Sequence, residues 1–239
     1  MATSEKLAFV VARAIVDQVT QDRLRAGDAL GTELEMTRHY GVSRGTLREA
    51  LRILEVLGVI TLKRGPTGGP ILLQADVDHF SQFVKLQYQR LGVTYEELLA
   101  MRVILEPAAA ALCAADVDES HGHRLRAYLY EAGRIDVLDD RQFRTVGQGF
   151  HQMVAELSGN QLLSLVASSC YDVFAGRASH FVYPPGRRKQ VLLAHEEIAR
   201  AILDQDADRA RTSMETHMRD YIGQATAQFR GLIRETVRW

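Results

Sequence analysis

The amino-acid sequence predicts a mainly α-helical protein with two domains, a winged helix-turn-helix over residues 1–74 and an all-α bundle of six or seven helices over residues 75–239. Two observations predict this fold class. Apolar residues recur at helical spacing along most of the chain, and one short glycine-rich stretch, residues 59–73, has the pattern of a β-hairpin instead. A length of 239 residues is enough for one to two domains and a sizeable core.

The composition is that of an ordinary folded protein and excludes several functional classes. The chain is 46% hydrophobic and 25% charged, with a net charge of −1, which argues against a uniformly basic nucleic-acid coat protein and an acidic disordered chain. Its two cysteines, Cys113 and Cys170, form no CxxC motif, so neither a disulfide framework nor a cysteine zinc site is expected. The longest apolar run, residues 108–115, is too short to span a bilayer, and Arg13 interrupts the apolar N-terminal stretch. We therefore predict a cytoplasmic protein with no membrane partner.

Charge is distributed unevenly along the chain. Residues 1–74 carry ten basic and eight acidic side chains, whereas the rest of the chain carries 19 basic and 22 acidic ones. Within residues 38–64 the basic side chains are Arg38, Arg44, Arg48, Arg52, Lys63 and Arg64, against only Glu49 and Glu55. A local basic patch of this kind is typical of a surface that contacts an anionic polymer, although a solvated charged surface has the same composition.

Three helices are predicted in the first domain. Apolar spacing predicts the first helix over residues 5–24. A capping box of Thr32 and Glu35 begins a short second helix, and Ser43 is a suitable N-cap for a third helix that ends at Gly58. The short turn between the second and third helices is typical of a helix-turn-helix.

A β-hairpin is predicted directly after the third helix. Two short apolar runs, residues 59–62 and 70–73, flank a glycine-rich loop that begins with Lys63 and Arg64. Three helices followed by such a hairpin describe a winged helix-turn-helix, in which the third helix enters the major groove of DNA.

The predicted third helix has a basic face on the side away from its leucine stripe. Arg44, Arg48 and Arg52 fall within one sector of the helix, and arginine suits both guanine and phosphate contacts. Thr46 in the first turn is placed to reach a phosphate or a thymine methyl group, and the basic hairpin tip is placed to follow the adjacent backbone or minor groove. The alternative is a small helical domain whose surface arginines form salt bridges.

Almost all of the chain after residue 74 has a helical pattern. Helices are predicted over residues 76–91, from a capping box at Thr94 and Glu97 onward, and over residues 117–132, 140–158, 160–181, 188–204 and 206–234.

Four polar residues of this second domain lie where the helical pattern calls for core residues. They are Arg102, with Glu106 one turn later as a partner, and His151, His195 and His217. Because burying such groups is costly without a partner, three histidines on three helices suggest one interior site, in which imidazole suits Zn, Ni, Cu or Fe and Arg102 suits a carboxylate. Separate, individually satisfied core histidines remain the alternative.

Two stretches of the first domain, Leu24–Leu30 and Tyr40–Ile60, resemble the DNA-binding signature of the GntR family of bacterial transcription regulators, in its FadR-like branch. The second domain resembles the family's helical ligand-binding FCD domain. The residues that carry this second resemblance are Arg102 to Glu106, Phe150 with His151, His195 to Ile198, and His217.

The resemblance implies a homodimer on a palindromic operator, regulated by a small organic acid. The residues expected to contact DNA are Arg38, Ser43, Arg44, Thr46, Arg48, Arg52, Lys63, Arg64 and Gly65. The effector is expected near Arg102 and the three histidines, and in metal-binding members the histidines would hold one divalent ion such as Zn or Ni. Effector binding would alter the placement of the two DNA-binding domains in the dimer.

The sequence departs from the family pattern at two positions. Leu34 stands where the family usually places a DNA-contacting arginine, and Gly147 stands where metal-binding members place an aspartate. A three-histidine site without that carboxylate would need another donor, such as Gln148, Tyr221 or the effector, and a metal-free anion site is equally tenable.

We therefore predict a ligand-responsive DNA-binding transcription regulator, with repression as the expected direction, that is not an enzyme. The alternative from another class is a helical-bundle metalloenzyme with a three-histidine centre. That alternative would need an open metal position and a nearby base. Glu156 is five positions from His151 and off its helical face, and Glu196 and Glu197 adjoin His195 but point elsewhere on the helix.

Overall fold

The structure is a computed structural model that describes residues 2–63, 65, 68–75, 77–134, 140–178 and 185–239. The chain divides into two compact units, residues 1–79 and 80–239. Each unit has its own group of buried apolar side chains, and each is described separately below.

Up to residue 75, the described part of the first unit contains three helices and a two-stranded antiparallel sheet. In chain order these are α1 (Ala2–Gln21), α2 (Glu33–Tyr40), α3 (Arg44–Val56), β1 (Ile60–Leu62) and β2 (Pro70–Leu72). Ile60 pairs with Leu72, and Ala29 forms an isolated bridge with Ile71. The predicted winged helix-turn-helix is confirmed.

The ends of these helices follow the predicted caps. Thr32 accepts a hydrogen bond from the backbone N–H of Glu35, and the Glu35 side chain bonds back to the Thr32 backbone. The Ser43 side chain caps α3 at the N–H of Thr46. Helix α1 ends at Gln21, three residues before the predicted end, because Arg23 adopts a left-handed φ of 53° that ends the helical path.

The remaining elements of the described chain are helices, and most of them pack into a bundle. They are α4 (Val77–Leu91), α5 (Tyr95–Ala115), α6 (Glu119–Ala132), α7 (Asp140–Leu157), α8 (Gln161–Ala178), α9 (Pro185–Leu203), α10 (Ala207–Gln228) and α11 (Arg230–Ile233). The pattern predicted as one helix over 206–234 is divided at Phe229, where φ is −130°, so the described part of the chain has one short helix beyond the predicted seven.

Helix α5 is the central helix of this bundle and packs against α7, α8, α9 and α10. It is long and apolar enough to cross a membrane by length and composition, with a mean hydropathy of 1.7, and it is the one such helix in the described residues. Because 56% of that apolar stretch is buried among the other helices, and because it carries the buried pair Arg102 and Glu106, we assign it as a core helix.

Candidate DNA-binding face and effector site

Helix α3 presents one apolar and one basic face. Its buried side chains are Leu47, Ala50, Leu51 and Leu54, which pack against α1 and the start of the hairpin. The arginines on its other face are all exposed: Arg44, Arg48 and Arg52. The sequence thus folds into an amphipathic helix whose cationic face is free of the core.

Most of the other residues predicted to contact DNA are also exposed. Arg38, Ser43, Lys63 and Gly65 are exposed, and Thr46 is half-buried with its Oγ1 2.9 Å from the Ser43 Oγ. Gly65 has a φ of 122°, a backbone conformation that glycine adopts readily. Arg64 lies outside the described residues.

An ion pair between α2 and α3 was not predicted from the sequence. The Arg48 Nε donates to the Glu33 Oε2 at 2.9 Å, with side-chain exposures of 69% and 41%. Fifteen residues separate the two, so no helical spacing connects them. The pair lines an open groove of about 680 Å³ between α3 and the hairpin, which Lys63 and Gly65 border on the other side.

In the second unit, three imidazoles from three helices meet at one point. His151 on α7, His195 on α9 and His217 on α10 each offer a ring nitrogen, and these atoms lie within 4.8 Å of one another. The His217 Nε2 is 3.1 Å from the His195 Nε2 and 3.4 Å from the His151 Nε2. We call His151, His195 and His217 the three-histidine cluster.

These distances suit a shared cation. Two nitrogens bound to one tetrahedral ion at 2.0–2.1 Å are about 3.3 Å apart, close to the distances from the His217 Nε2 to the other two Nε2 atoms. The pKa of His195 is lowered well below its usual value, and that of His217 is lowered to about 3, in both cases mainly by burial. Both rings are therefore neutral at neutral pH, which is the form that binds a metal ion. The cluster is able to hold a metal ion.

Two neighbouring side chains orient the outer ring nitrogens. The His151 Nδ1 donates to the Glu106 Oε2 at 2.5 Å, and the His195 Nδ1 is 2.6 Å from the Tyr128 hydroxyl oxygen. Burial alone would raise the pKa of Glu106, but the neighbouring Arg102 and His151 lower it to about 2, so the carboxylate is ionised and accepts a hydrogen bond from the His151 Nδ1–H. The His151 Nε2 then has a free lone pair directed into the cluster.

Arg102 completes this polar interior. Its Nε donates to the Glu106 Oε1 at 2.5 Å, and the arginine is only 1% exposed. Burial would lower the pKa of Arg102, but the charge of Glu106 foremost raises it above the usual value. Its guanidinium lies 4.8 Å from the ring centre of Tyr171 and 5.5 Å from that of Tyr221. Its Nη1 is buried and has no hydrogen-bond partner.

The predicted residues of the second unit are thus brought together. A continuous series of polar contacts runs through Arg102, Glu106, His151, His217, His195 and Tyr128. Periodicity indicated Arg102, Glu106 and the histidines, whereas it gave no reason to single out Tyr128 or Tyr171. Of the other suggested donors, Tyr221 flanks Arg102, and the Gln148 side chain lies outside the described residues.

The acidic residues considered for an enzyme lie elsewhere. Glu156 pairs with Arg124, and Glu196 pairs with Arg200, all on partly exposed side chains. Glu197 is 3.3 Å from Arg209. Among the described carboxylates, Glu106 is the one that touches the cluster, and Arg102 and His151 already occupy its two oxygens.

The chain combines a winged helix-turn-helix, which has an exposed basic helix, with a helical unit that encloses a polar site. This combination defines the class of protein as a ligand-responsive, DNA-binding transcription regulator. The family models agree with this class. Residues 7–67 match the model described as bacterial regulatory proteins of the gntR family, and residues 97–220 match the FCD domain. The chain belongs to the GntR family and carries an FCD domain.

Curated relatives cover most of the chain. The Glc operon transcriptional activator of Escherichia coli is 27% identical over 90% of this chain and 85% of its own length. The HTH-type transcriptional repressor NanR of Cronobacter sakazakii is 24% identical over 90% of this chain and 83% of its own length. A solved Streptococcus agalactiae GntR structure has the same fold, with a TM-score of 0.70 at 21% identity over 91% of this chain and 100% of that one.

Proposed function

We propose that this regulator binds a palindromic operator as a homodimer in the bacterial cytoplasm. Its affinity for DNA falls or rises when a small organic acid binds the second unit. The DNA contacts fall to the predicted residues of α3 and the hairpin, together with Arg38. Exposure of the arginines and burial of the leucines on α3 support this assignment. We propose repression as the direction, as the name of NanR indicates for that relative, whereas the Glc relative is named an activator.

One observation carries the proposed effector site. Arg102 is 1% exposed yet keeps an unpartnered Nη1, and it is linked through Glu106 to the three-histidine cluster. A buried guanidinium nitrogen without a partner is costly, and a carboxylate satisfies it with a charge-assisted hydrogen bond. The proposed effector therefore places a carboxylate against Arg102.

A divalent metal ion such as Zn or Ni fits the same site. His151, His195 and His217 would hold it through their Nε2 atoms, since the outer nitrogens of His151 and His195 are already engaged. When bound, such an ion supplies a second positive partner for the anionic effector. Position 147 is a glycine and supplies no carboxylate ligand to this site. The negative charge of the proposed effector would therefore balance part of the ion's positive charge.

We propose that effector binding changes the spacing of the two DNA-binding units in the dimer. Half-sites on consecutive turns of DNA lie about 34 Å apart, so a change of a few ångströms prevents both recognition helices from fitting at once. Light scattering after size exclusion tests the dimer, and a promoter-reporter assay with and without effector tests the direction of regulation. Reporter expression that falls when the regulator is deleted would contradict repression.

The effector site is tested by thermal-shift screening of small carboxylic acids, with and without Zn²⁺ or Ni²⁺. We expect an acid that binds the folded protein to raise its melting temperature, more strongly when metal is present. Elemental analysis of the purified protein, and of a variant with His151, His195 and His217 changed to alanine, tests the metal. Unchanged metal content and acid response in that variant would refute the site.

A further inference from the structure

Arg48 is the one arginine on the basic face of α3 that has an ion-pair partner among the described residues. Its Nε donates to the Glu33 Oε2 of α2 at 2.9 Å. Arg44 and Arg52, one turn before and one turn after it, are exposed and form no ion pair with a described residue. These two arginines therefore keep their full positive charge for DNA, whereas a carboxylate neutralises the charge of Arg48.

The hydrogen bond to Glu33 uses only one of the three donor nitrogens of Arg48. Its Nη1 and Nη2 have no hydrogen-bond partner among the described residues, and the side chain is 69% exposed. Because a guanidinium group is planar, a bond that fixes the Nε also fixes the plane of the two Nη groups. Arg48 therefore offers two N–H donors with a defined orientation to a ligand in the groove between α3 and the hairpin.

Phosphate oxygens and base edges compete for these two donors. A phosphate contact depends mainly on net positive charge, and the Arg48–Glu33 pair has none. Glu33 lines the same groove with a side chain that is 41% exposed, so its carboxylate repels a phosphate placed there. A guanine instead presents O6 and N7 side by side in the major groove, where they accept two N–H donors from one arginine. A neutral pair with two oriented donors therefore suits a guanine better than a phosphate.

The other acid that lines this groove has a different role. The Glu55 Oε1 accepts a hydrogen bond from the backbone N–H of Leu62 at 3.3 Å. Glu55 thus links the end of α3 to β1, whereas Glu33 is the acid that is bonded to an arginine.

We infer that Glu33 is a positioning residue that makes Arg48 selective for guanine. Glu33 keeps the Nε of Arg48, while Nη1 and Nη2 donate to the O6 and N7 of one guanine in each half-site. At other bases the exposed pair is weak enough for Arg48 to turn to a phosphate. This inference rests on the proposed DNA contacts of α3 and adds to them a specificity-determining residue from α2.

The inference is tested with a DNA site that this protein selects from a random duplex library, changed one base at a time. Fluorescence anisotropy at several salt concentrations gives the affinity for each duplex. We expect the wild type to prefer guanine about 5- to 150-fold at one position of each half-site, and Arg48→Ala to remove that preference. We expect Glu33→Gln to reduce the same preference at least threefold and to raise the affinity for unselected DNA.

A modified base tests the N7 contact directly. 7-Deazaguanine lacks the N7 acceptor but still pairs with cytosine. At the preferred position it should weaken wild-type binding, and the loss should be at least threefold smaller for Glu33→Gln, in which Arg48 is no longer held. Glu33→Asp keeps the negative charge on a side chain one methylene shorter. It should lose the guanine preference without gaining affinity for unselected DNA, which separates orientation from charge.

Glu49→Gln is the matched control, because Glu49 is an exposed acid of α3 that forms no ion pair with a described residue. Removing its charge should change the affinity for all duplexes by the same factor and leave the guanine preference intact. Circular dichroism verifies the fold of each variant. If Glu33→Gln behaves as Glu49→Gln does, Glu33 does not position Arg48 and the inference is wrong.

Two further results would overturn the inference. Arg48→Ala that weakens binding to every duplex equally and lowers the salt dependence would assign Arg48 to a phosphate. Wild-type binding that is insensitive to 7-deazaguanine at every guanine of the site would exclude the contact to N7. In both cases DNA affinity that still depends on Arg44 and Arg52 leaves the proposed DNA-binding face standing. If no arginine of α3 affects DNA affinity, that face and the role of Glu33 fall together.

Discussion

The two units each contain an arginine–glutamate pair, and the two pairs are in opposite environments. Arg48 and Glu33 are joined by a 2.9 Å contact, with side-chain exposures of 69% and 41%. Arg102 and Glu106 are joined by a 2.5 Å contact, with exposures of 1% and 4%. The same type of ion pair is exposed to solvent in the first unit and buried in the second.

The difference shows how each unit is suited to its ligand. An exposed pair contributes little to stability, so Arg48 is able to leave Glu33 for a DNA phosphate or base at small cost. A buried pair is strongly coupled, since removing one partner leaves an uncompensated charge in the interior. Arg102 is therefore held in place by Glu106, and the proposed effector would bind the arginine in that position.

The largest expected effect is a loss of folding stability when the buried Arg102–Glu106 pair is broken. Glu106→Gln should destabilise the protein by about 3–5 kcal/mol, because Arg102 loses its counter-charge. Glu33→Gln, the matched change in the exposed pair, should stay within about 1 kcal/mol. Urea unfolding followed by circular dichroism measures both, and similar losses for the two variants would contradict the comparison.

A double variant separates the charge from the packing. Replacing Arg102 with methionine and Glu106 with leucine removes both charges and keeps apolar volume in the core, so it should recover much of the stability that Glu106→Gln loses. A double variant no more stable than Glu106→Gln would show that the pair matters through shape and hydrogen bonding instead of charge balance.

The next largest effect is a loss of DNA affinity when Arg48 of the exposed pair is replaced. Arg48→Ala should weaken binding to a DNA site selected from a random duplex library by about 1–3 kcal/mol, with a smaller salt dependence if the contact is to phosphate. Glu33→Gln should raise affinity for unselected DNA, because it removes a negative charge from the groove. Fluorescence anisotropy at several salt concentrations gives both values.

The exposed pair Arg124–Glu156 of the second unit is the control for that experiment. Arg124→Ala should leave DNA binding unchanged. Arg48→Ala with wild-type affinity and salt dependence would show that α3 does not provide the DNA contact.

A smaller effect is expected from the hydroxyl group that orients His195. Tyr128→Phe removes the 2.6 Å contact to the His195 Nδ1 and keeps the ring that packs on Phe150. Loss of such a supporting partner typically reduces metal affinity about 10–100-fold. Competition with a Zn²⁺ chelator measures this change, and Tyr130→Phe, an exposed tyrosine on the same helix, should have wild-type affinity.

The smallest effect is the pH response of the two capping boxes, one in each unit. Backbone hydrogen bonds from Thr32 and Thr94 lower the pKa values of Glu35 and Glu97 below the usual 4.5. Because these pKa values are lowered in the folded state, the stabilisation is present above pH 4.5 and is lost as the pH falls through the folded-state values. Side-chain carboxyl NMR titration should show both values rising only part of the way toward 4.5 in Thr32→Ala and Thr94→Ala, because alanine removes the hydroxyl hydrogen bond to the carboxylate and keeps the backbone one.

Local sequence signals predicted the helix caps, the amphipathic α3 and the core positions of the three histidines. Thr32 and Glu35 are three residues apart, and Arg102 and Glu106 are four apart, so helical geometry alone brings each pair together. Contacts between distant segments lacked such a signal. Glu33 meets Arg48 and Tyr128 meets His195 only because tertiary packing aligns different helices.

The linked polar contacts from Arg102 to Tyr128 have a mechanical consequence. They join α5, α7, α10, α9 and α6 in that order, through side chains that are mostly enclosed. Each imidazole has only two nitrogens, so a ligand that claims one nitrogen obliges its neighbours to adjust. The proposed effector, if it bound at the centre, would therefore act through these contacts on five helices at once.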